Sequence, residues 1–145
     1  MIRVALLLSL LVLAGCQTTA RPNSASAPMP DPASIMAPGQ DVPSGYAAFS
    51  GIWTGSWGGE LDGKLAVQEI RPDGSVSTYY TWGDDRGGAF LAGAVNVDGQ
   101  IEGDTLVLKT FGNGANVSYE MTADGKLRGE YRRGDSLSKG VFTKL

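Results

Sequence analysis

The feature that most constrains the fold is a turn signal that recurs through the C-terminal two thirds of the chain. Glycine paired with aspartate or asparagine favours the positive φ that tight hairpins need. Most of these pairs lie about ten to fifteen residues apart, a spacing typical of short strands joined by hairpins. Examples of such pairs are Asp62-Gly63, Asp73-Gly74, Asp98-Gly99, Asn113-Gly114, Asp124-Gly125 and Gly134-Asp135.

Between the turns, apolar side chains recur at every second residue. Trp53 and Trp57 share one face of a first strand, and Tyr80 and Trp82 share one face of a third. Such alternation places one face of each strand in a core and the other in water. Residues 48–145 therefore predict an all-β domain of seven or eight strands, in which the stretch 87–102 forms either one bent strand or two short ones.

The strands are expected to close into a small antiparallel up-and-down β-barrel. An open meander of this size would expose two sheet edges, whereas closure pairs them and buries the aromatic face. Glycines inside the strands, such as Gly55, Gly93, Gly129 and Gly140, fit the bends and close approaches of a small barrel. A two-sheet sandwich built from the same strands is the alternative.

The N-terminus has the pattern of an export signal. A short positive leader ending at Arg3 precedes an apolar run from Val4 to Leu13. A mature membrane-spanning helix needs about 20 residues, so this run has the length of a signal-peptide core instead. We therefore assign residues 1–15 to a signal peptide.

The segment Leu13-Ala14-Gly15-Cys16 resembles the lipobox of bacterial lipoproteins. The resemblance implies cleavage before Cys16 and attachment of acyl chains such as palmitate to that cysteine, which anchors the protein to a membrane. Gln17, in place of an aspartate, implies sorting to the outer membrane, with the periplasmic face as the expected location. An ordinary secretory signal with a chance cysteine is the alternative.

Residues 16–47 predict a disordered linker between this anchor and the barrel. Six of the seven prolines lie there, and apolar residues do not recur at the spacing of a strand or a helix. Such a spacer would span roughly 30 Å as a coil and about 90 Å when extended. The domain is therefore expected to work at some distance from its membrane.

Gly51-Ile52-Trp53 is similar to the G-x-W motif at the first strand of the calycin superfamily, which includes the lipocalins. In those families the tryptophan packs across one end of the barrel against a basic side chain. The resemblance implies that Trp53 closes the barrel here, with Arg128, Arg132 or Lys144 as the cation.

Five aromatic residues at inward positions form either the core alone or an aromatic cup for a ligand. An eight-stranded barrel is just wide enough to be filled by side chains or to hold one small molecule. Tyrosine hydroxyls could orient a small apolar, amphipathic or glycan ligand in such a cup. The candidate ligand-binding residues are Trp57, Tyr80, Trp82, Tyr119 and Tyr131. The loop 82–88 that follows is a candidate mouth loop.

The composition excludes several other functions. The chain has no histidine and Cys16 as its single cysteine, so it lacks a Ser-His-Asp triad, a Cys-His pair and a histidine metal site. Glu69, Glu120 and Glu130 stand singly, and a net charge of −3 offers no basic face to nucleic acid. We expect no enzyme, metal or cofactor. The predicted function is binding of a small amphipathic ligand or an envelope component, and the alternative is a protein-interaction module such as a periplasmic inhibitor of proteases or lysozyme.

Overall fold

The computed structural model describes residues 25–145. The expected signal peptide, the lipidation of Cys16 and the first part of the expected linker therefore lie outside the described residues. Within residues 25–145, no helix is long and apolar enough to cross a membrane.

Eight antiparallel strands form a closed up-and-down barrel, as the sequence predicts. Each strand pairs with the next along the chain, and the last pairs with the first, so no sheet edge is left open. The strands are β1 (Gly51–Trp57), β2 (Leu61–Ile70), β3 (Ser75–Trp82), β4 (Gly93–Glu102), β5 (Thr105–Leu108), β6 (Asn116–Met121), β7 (Leu127–Arg133) and β8 (Ser136–Lys144). The stretch that could form one strand or two contains the single strand β4.

The inward faces follow the alternation of the sequence. Leu65, Val76, Leu106 and Val117 come from four different strands and are all almost completely buried in one core. In β8 the side chain of Val141 is 59% exposed, and that of the neighbouring Phe142 is fully buried. The register of β8 against β1, which places Phe142 opposite Gly55, gives the larger ring the inward position.

The disorder expected for residues 16–47 is wrong for residues 25–47. Residues 25–50, here called the strap, lie against the barrel, with a short 3-10 turn at Pro32–Ser34 and a one-turn helix α1 at Ser44–Ala47. Ala27 and Val42 are buried, and the Met36 backbone N–H donates to the Gln68 carbonyl oxygen of β2 at 2.8 Å. The strap therefore belongs to the folded domain.

The end of the barrel where β1 begins is sealed. Trp53 is 1% exposed, and its indole Nε1 donates to the Phe49 carbonyl oxygen at 2.8 Å. Of the three candidate cations, Lys144 lies over the Trp53 ring, with its Nζ 4.8 Å from the ring centre and 2.7 Å from the Ala48 carbonyl oxygen. Arg128 pairs instead with Glu120 on the outside. We call this end the closed end.

Candidate ligand-binding cup

The opposite end of the barrel, where β1, β3 and β7 finish, contains an open cavity of about 490 Å³. We call this cavity the cup. Its lining is mostly aromatic, with a polar side formed by the hairpin between β7 and β8. The lining residues are Trp57, Leu61, Tyr80, Trp82, Phe90, Phe111, Tyr131, Arg133, Ser136 and Ser138.

Trp57 forms the floor of the cup. Its ring centre lies 4.9 Å from that of Phe142 and 5.8 Å from that of Tyr119, and the three rings meet at steep angles. This arrangement depends on a small residue in β7, because a Cβ atom on Gly129 would come within 2.7 Å of the indole ring. The glycine therefore lets the ring lie across the barrel and separate the cup from the core.

One wall of the cup is aromatic. Tyr80 and Trp82, two residues apart on β3, have ring centres 6.0 Å apart, and Phe111 from the loop after β5 packs edge-on against Tyr80 at 5.1 Å. A Cβ atom on Gly93 would come within 2.5 Å of the Trp82 ring, so the start of β4 makes room for that ring. These rings give a ligand a rigid apolar surface.

The loop that follows Trp82, residues 83–92, forms part of the rim, and we call it the rim loop. Trp82 Nε1 donates to the Leu91 carbonyl oxygen at 2.9 Å, which ties this loop to the cup wall. The Asp84 carboxylate accepts from the Ala92 N–H, and that of Asp85 accepts from the Ala89 N–H at 2.9 Å. The two acids therefore build the loop, and Phe90 reaches into the cup lining.

Two buried polar groups beside the cup have no hydrogen-bond partner within the described part of the chain. They are the Trp57 indole N–H and the Tyr119 hydroxyl. Such groups are rare in folded proteins, because each one costs about 1–3 kcal/mol when it is left unsatisfied. The Trp57 ring lines the cup, whereas its Nε1 atom is buried and lies next to Gly63 of β2.

Two phenols near the floor, those of Tyr80 and Tyr119, have raised pKa values. Burial raises the pKa of Tyr80 well above its usual range, and the nearby Trp57 indole offsets part of this rise without reaching hydrogen-bond geometry. Burial likewise raises the pKa of Tyr119, with a smaller contribution from the nearby Tyr80. The Tyr131 hydroxyl accepts a hydrogen bond from Asn113 Nδ2 at 3.1 Å. The cup therefore offers neutral donors rather than an anionic base.

Of the five aromatic residues predicted for the ligand site, Trp57, Tyr80, Trp82 and Tyr131 line the cup. Tyr119 does not: it is fully buried against the underside of Trp57. Alternation along β6 indicates that Tyr119 points inward, but its depth depends on the stagger of the strands.

Sequence reasoning missed six lining residues. They come from the strand ends and loops around the mouth: Leu61, Phe90, Phe111, Arg133, Ser136 and Ser138. Leu61 is paired with Trp57 in the sheet, so the hairpin register was the signal that could have found it. Phe90 and Phe111 lie in loops, where no periodicity reports the direction of a side chain.

The carboxylates considered for catalysis do not meet in the cup. Glu69, Glu120 and Glu130 each form a separate ion pair, with Arg71 at 2.6 Å, Arg128 at 3.3 Å and Lys139 at 2.9 Å respectively. Across residues 25–145, no three potential metal ligands cluster together.

A second concavity, of about 740 Å³, lies on the outer surface over β3, β4 and β5. Its lining mixes charged and apolar side chains, and the exposed ion pair between Lys109 and Asp98 borders it. This groove is wider than the cup but shallower, and it contains none of the convergent aromatic rings. The cup is therefore the better candidate site.

Comparison of the sequence with models of known protein families gives no match, and comparison with curated proteins gives none either.

Proposed function

We propose that this protein is an envelope lipoprotein, anchored to the outer membrane through acyl chains on Cys16, whose barrel binds a small amphipathic ligand in the cup. The observation that carries the binding proposal is the cavity of about 490 Å³ at one end of an otherwise filled barrel. Binding sites for small molecules usually measure about 300–1,000 Å³ and combine apolar walls with a few polar groups. The cup has both properties.

The distribution of side chains supports an amphipathic ligand rather than a purely apolar one. Trp57, Tyr80 and Trp82 supply apolar surface on one side, while Arg133 and two serines of β8 supply a cation and hydroxyls on the other. A molecule with an apolar body and an acceptor or anionic head would match these surfaces.

Native mass spectrometry of the full chain, purified from the membranes of cells that express it, tests this binding. We expect a non-covalent adduct of one small amphiphile per chain. Ser138→Phe, which fills the cup, should lower its occupancy about tenfold, equivalent to about 1.4 kcal/mol. Val141→Phe, on the outer face of the same strand, is the matched control and should leave the adduct unchanged. An adduct that survives in Ser138→Phe, or that never occurs, would contradict the proposal.

The anchor has its own test. Cells grown with radioactive palmitate should incorporate label into the wild-type chain and none into a Cys16→Ser variant. Label absent from the wild type would remove the lipoprotein part of the proposal and leave the binding part intact.

A protein-interaction module is the second candidate, and the exposed rim supports it. Phe90 and Leu91 are 44% and 79% exposed on a loop that the Asp84 and Asp85 carboxylates hold in shape. Exposed apolar residues on a rigid loop are typical of inhibitors. Inhibition of a purified lysozyme or protease by the full chain, lost in Leu91→Asp and kept in Ser138→Phe, would favour this candidate over the cup.

A further inference from the structure

The described chain begins at the mouth of the cup. The Ala25 carbonyl oxygen accepts a hydrogen bond from the Asp84 N–H at 2.9 Å, and the Ala25 N–H donates to the Asp84 carboxylate at 3.1 Å. Asp84 belongs to the rim loop, two residues after Trp82 of the cup wall. The strap therefore starts at the rim and reaches the closed end at Phe49.

A buried ionic cluster fixes this starting point. Lys64 is only 7% exposed, and its Nζ donates to the Ala27 carbonyl oxygen at 2.8 Å and to the Asp62 carboxylate at 2.9 Å. The same carboxylate accepts from the Ala27 N–H at 2.8 Å. Because a buried ammonium group that loses its partners is costly, these contacts hold residues 25–27 at the mouth.

The tether from Cys16 to Ala25 is only nine residues long, counted from Gln17 through Ala25. A chain of this length reaches at most about 30 Å, and about 15–18 Å on average as a flexible coil. The strands themselves are about 25 Å long, judged from the eight residues of β3. An anchor on Cys16 would therefore hold the cup near the membrane, with the closed end farther away.

The rim loop also presents apolar side chains to solvent. The mouth presents Leu91, which is 79% exposed, with Phe90 beside it and the cations Arg86 and Arg133, neither of which forms an ion pair among the described residues. Acidic side chains lie in the turns and loops of both ends: Glu60, Asp84, Asp85 and Asp135 at the mouth, and Asp73, Asp104 and Asp124 at the closed end. Exposed apolar side chains of this kind suit the interface of a bilayer.

We propose that the mouth of the barrel faces the membrane that holds Cys16, that Phe90 and Leu91 of the rim loop insert into its surface, and that the cup receives its ligand from this bilayer. The inference rests on the proposed anchor and on the proposed binding function. It names the source of the ligand as the bilayer below the mouth. It also replaces the long free spacer expected from composition with a short tether.

Fluorescence depth measurements test this orientation on the full acylated chain. Leu91→Cys and Ala123→Cys, at the mouth and in the turn between β6 and β7, are each labelled with an environment-sensitive fluorophore. Acylation of Cys16 leaves the introduced cysteine as the single reactive thiol. In vesicles of phosphatidylethanolamine and phosphatidylglycerol, nitroxide lipids should quench the label at position 91 several-fold. The label at position 123, our matched control, should keep its aqueous emission.

A longer tether provides a second measurement that does not depend on the rim substitution. A Gly/Ser insertion directly after Gln17 that extends the tether from nine to 36 residues should lower the effective concentration of the mouth at the bilayer roughly eightfold. Quenching of the label at position 91 should fall accordingly. Unchanged quenching would mean that the length of the tether does not control how closely the mouth approaches the bilayer.

The outcomes separate the two proposals. Equal emission of the two labels, or quenching at position 123 alone, would overturn the orientation while a mass-spectrometric adduct would leave the cup function standing. Quenching at position 91 without any adduct would support the orientation and overturn the cup function. A label at position 91 that responds to an added soluble protein but not to lipid would overturn the membrane contact in favour of a protein partner.

Discussion

Two tryptophans of β1, four residues apart, occupy opposite ends of the barrel in different ways. At the closed end, the Trp53 N–H bonds to the Phe49 carbonyl oxygen, and its ring lies under the Lys144 ammonium group. At the mouth, Trp57 is almost as deeply buried, but its N–H has no partner among the described residues and its ring borders a cavity. The same residue type on the same strand therefore has a hydrogen-bonded indole N–H at one end and an indole N–H without a described partner at the other.

This difference divides the barrel into a part that stabilises it and a part that is free to bind. At the closed end the strap, β1 and β8 fill the space and satisfy the polar atoms. At the mouth, packing stops at Trp57, and an unsatisfied donor remains. Stability should therefore depend on the closed end, and ligand affinity on the mouth.

The largest expected effect comes from removing the closing tryptophan. Trp53→Ala should lower the free energy of unfolding by about 3–5 kcal/mol, because it leaves a large cavity in the core. Trp82→Ala, at the half-buried cup wall, should cost clearly less. Urea denaturation followed by circular dichroism measures both. Equal losses of unfolding free energy in the two variants would contradict the claim that stability depends on the closed end.

A smaller loss is expected where the strap meets the mouth. Lys64→Ala leaves the Asp62 carboxylate and the Ala27 carbonyl oxygen without their ammonium partner, which should cost about 2–3 kcal/mol. Lys144→Ala at the closed end removes a partly exposed cation over a ring and should cost about 1 kcal/mol. Hydrogen exchange at Ala27 should accelerate in Lys64→Ala and remain slow in Lys144→Ala. Slow exchange in both variants would contradict the role of Lys64 in holding residues 25–27 at the mouth.

A gain in stability is expected below the cup floor. Tyr119→Phe removes a buried hydroxyl without a partner and should raise the free energy of unfolding by about 1 kcal/mol. Tyr131→Phe, whose hydroxyl already accepts from Asn113, serves as the control and should produce no gain. A loss of stability in Tyr119→Phe would mean that its hydroxyl is satisfied in solution.

The last expected effect appears only at alkaline pH. The folded state keeps Tyr80 and Tyr119 protonated above the pKa of about 10 that tyrosine has in an unfolded chain. The unfolded state therefore loses protons first, and stability should decline as the pH rises above 10. Urea midpoints at pH 9, 10 and 11 measure the decline, which should be shallower in Tyr80→Phe. A flat profile in the wild type would contradict the burial of these phenols.

The sequence predicts the barrel because both of its signals are local. Turn pairs such as Asp73-Gly74 and the alternation around Tyr80 act within a few residues, and closure follows from pairing the free edges. The strap is different. Its prolines and alanines build no core of their own, but Ala27 and Val42 are buried in the folded barrel and Lys64 bonds to the strap backbone. No local pattern reports a contact across 37 residues.

The sequence predicts which aromatic residues point inward, but it leaves open whether they form the core alone or line a cavity. Inward alternation finds Trp57, Tyr80, Trp82 and Tyr131, because they lie in strands of even periodicity. It does not distinguish a residue above the floor from one below it, so Tyr119 is misplaced. That distinction depends on the stagger of β6 against β7 and on Gly129, which lets Trp57 lie across the barrel.

The central claim is that packing is complete at the closed end and leaves a ligand-binding cavity at the mouth. A nuclear magnetic resonance titration of the indole N–H groups tests it most directly. The full chain carrying Cys16→Ser, which has no acyl chains, is titrated with a soluble single-chain amphiphile below its micelle concentration. The account predicts that the Trp57 indole signal shifts and saturates at one equivalent, while the Trp53 signal stays in place. Equal shifts of both signals, or no shift of the Trp57 signal, would contradict it.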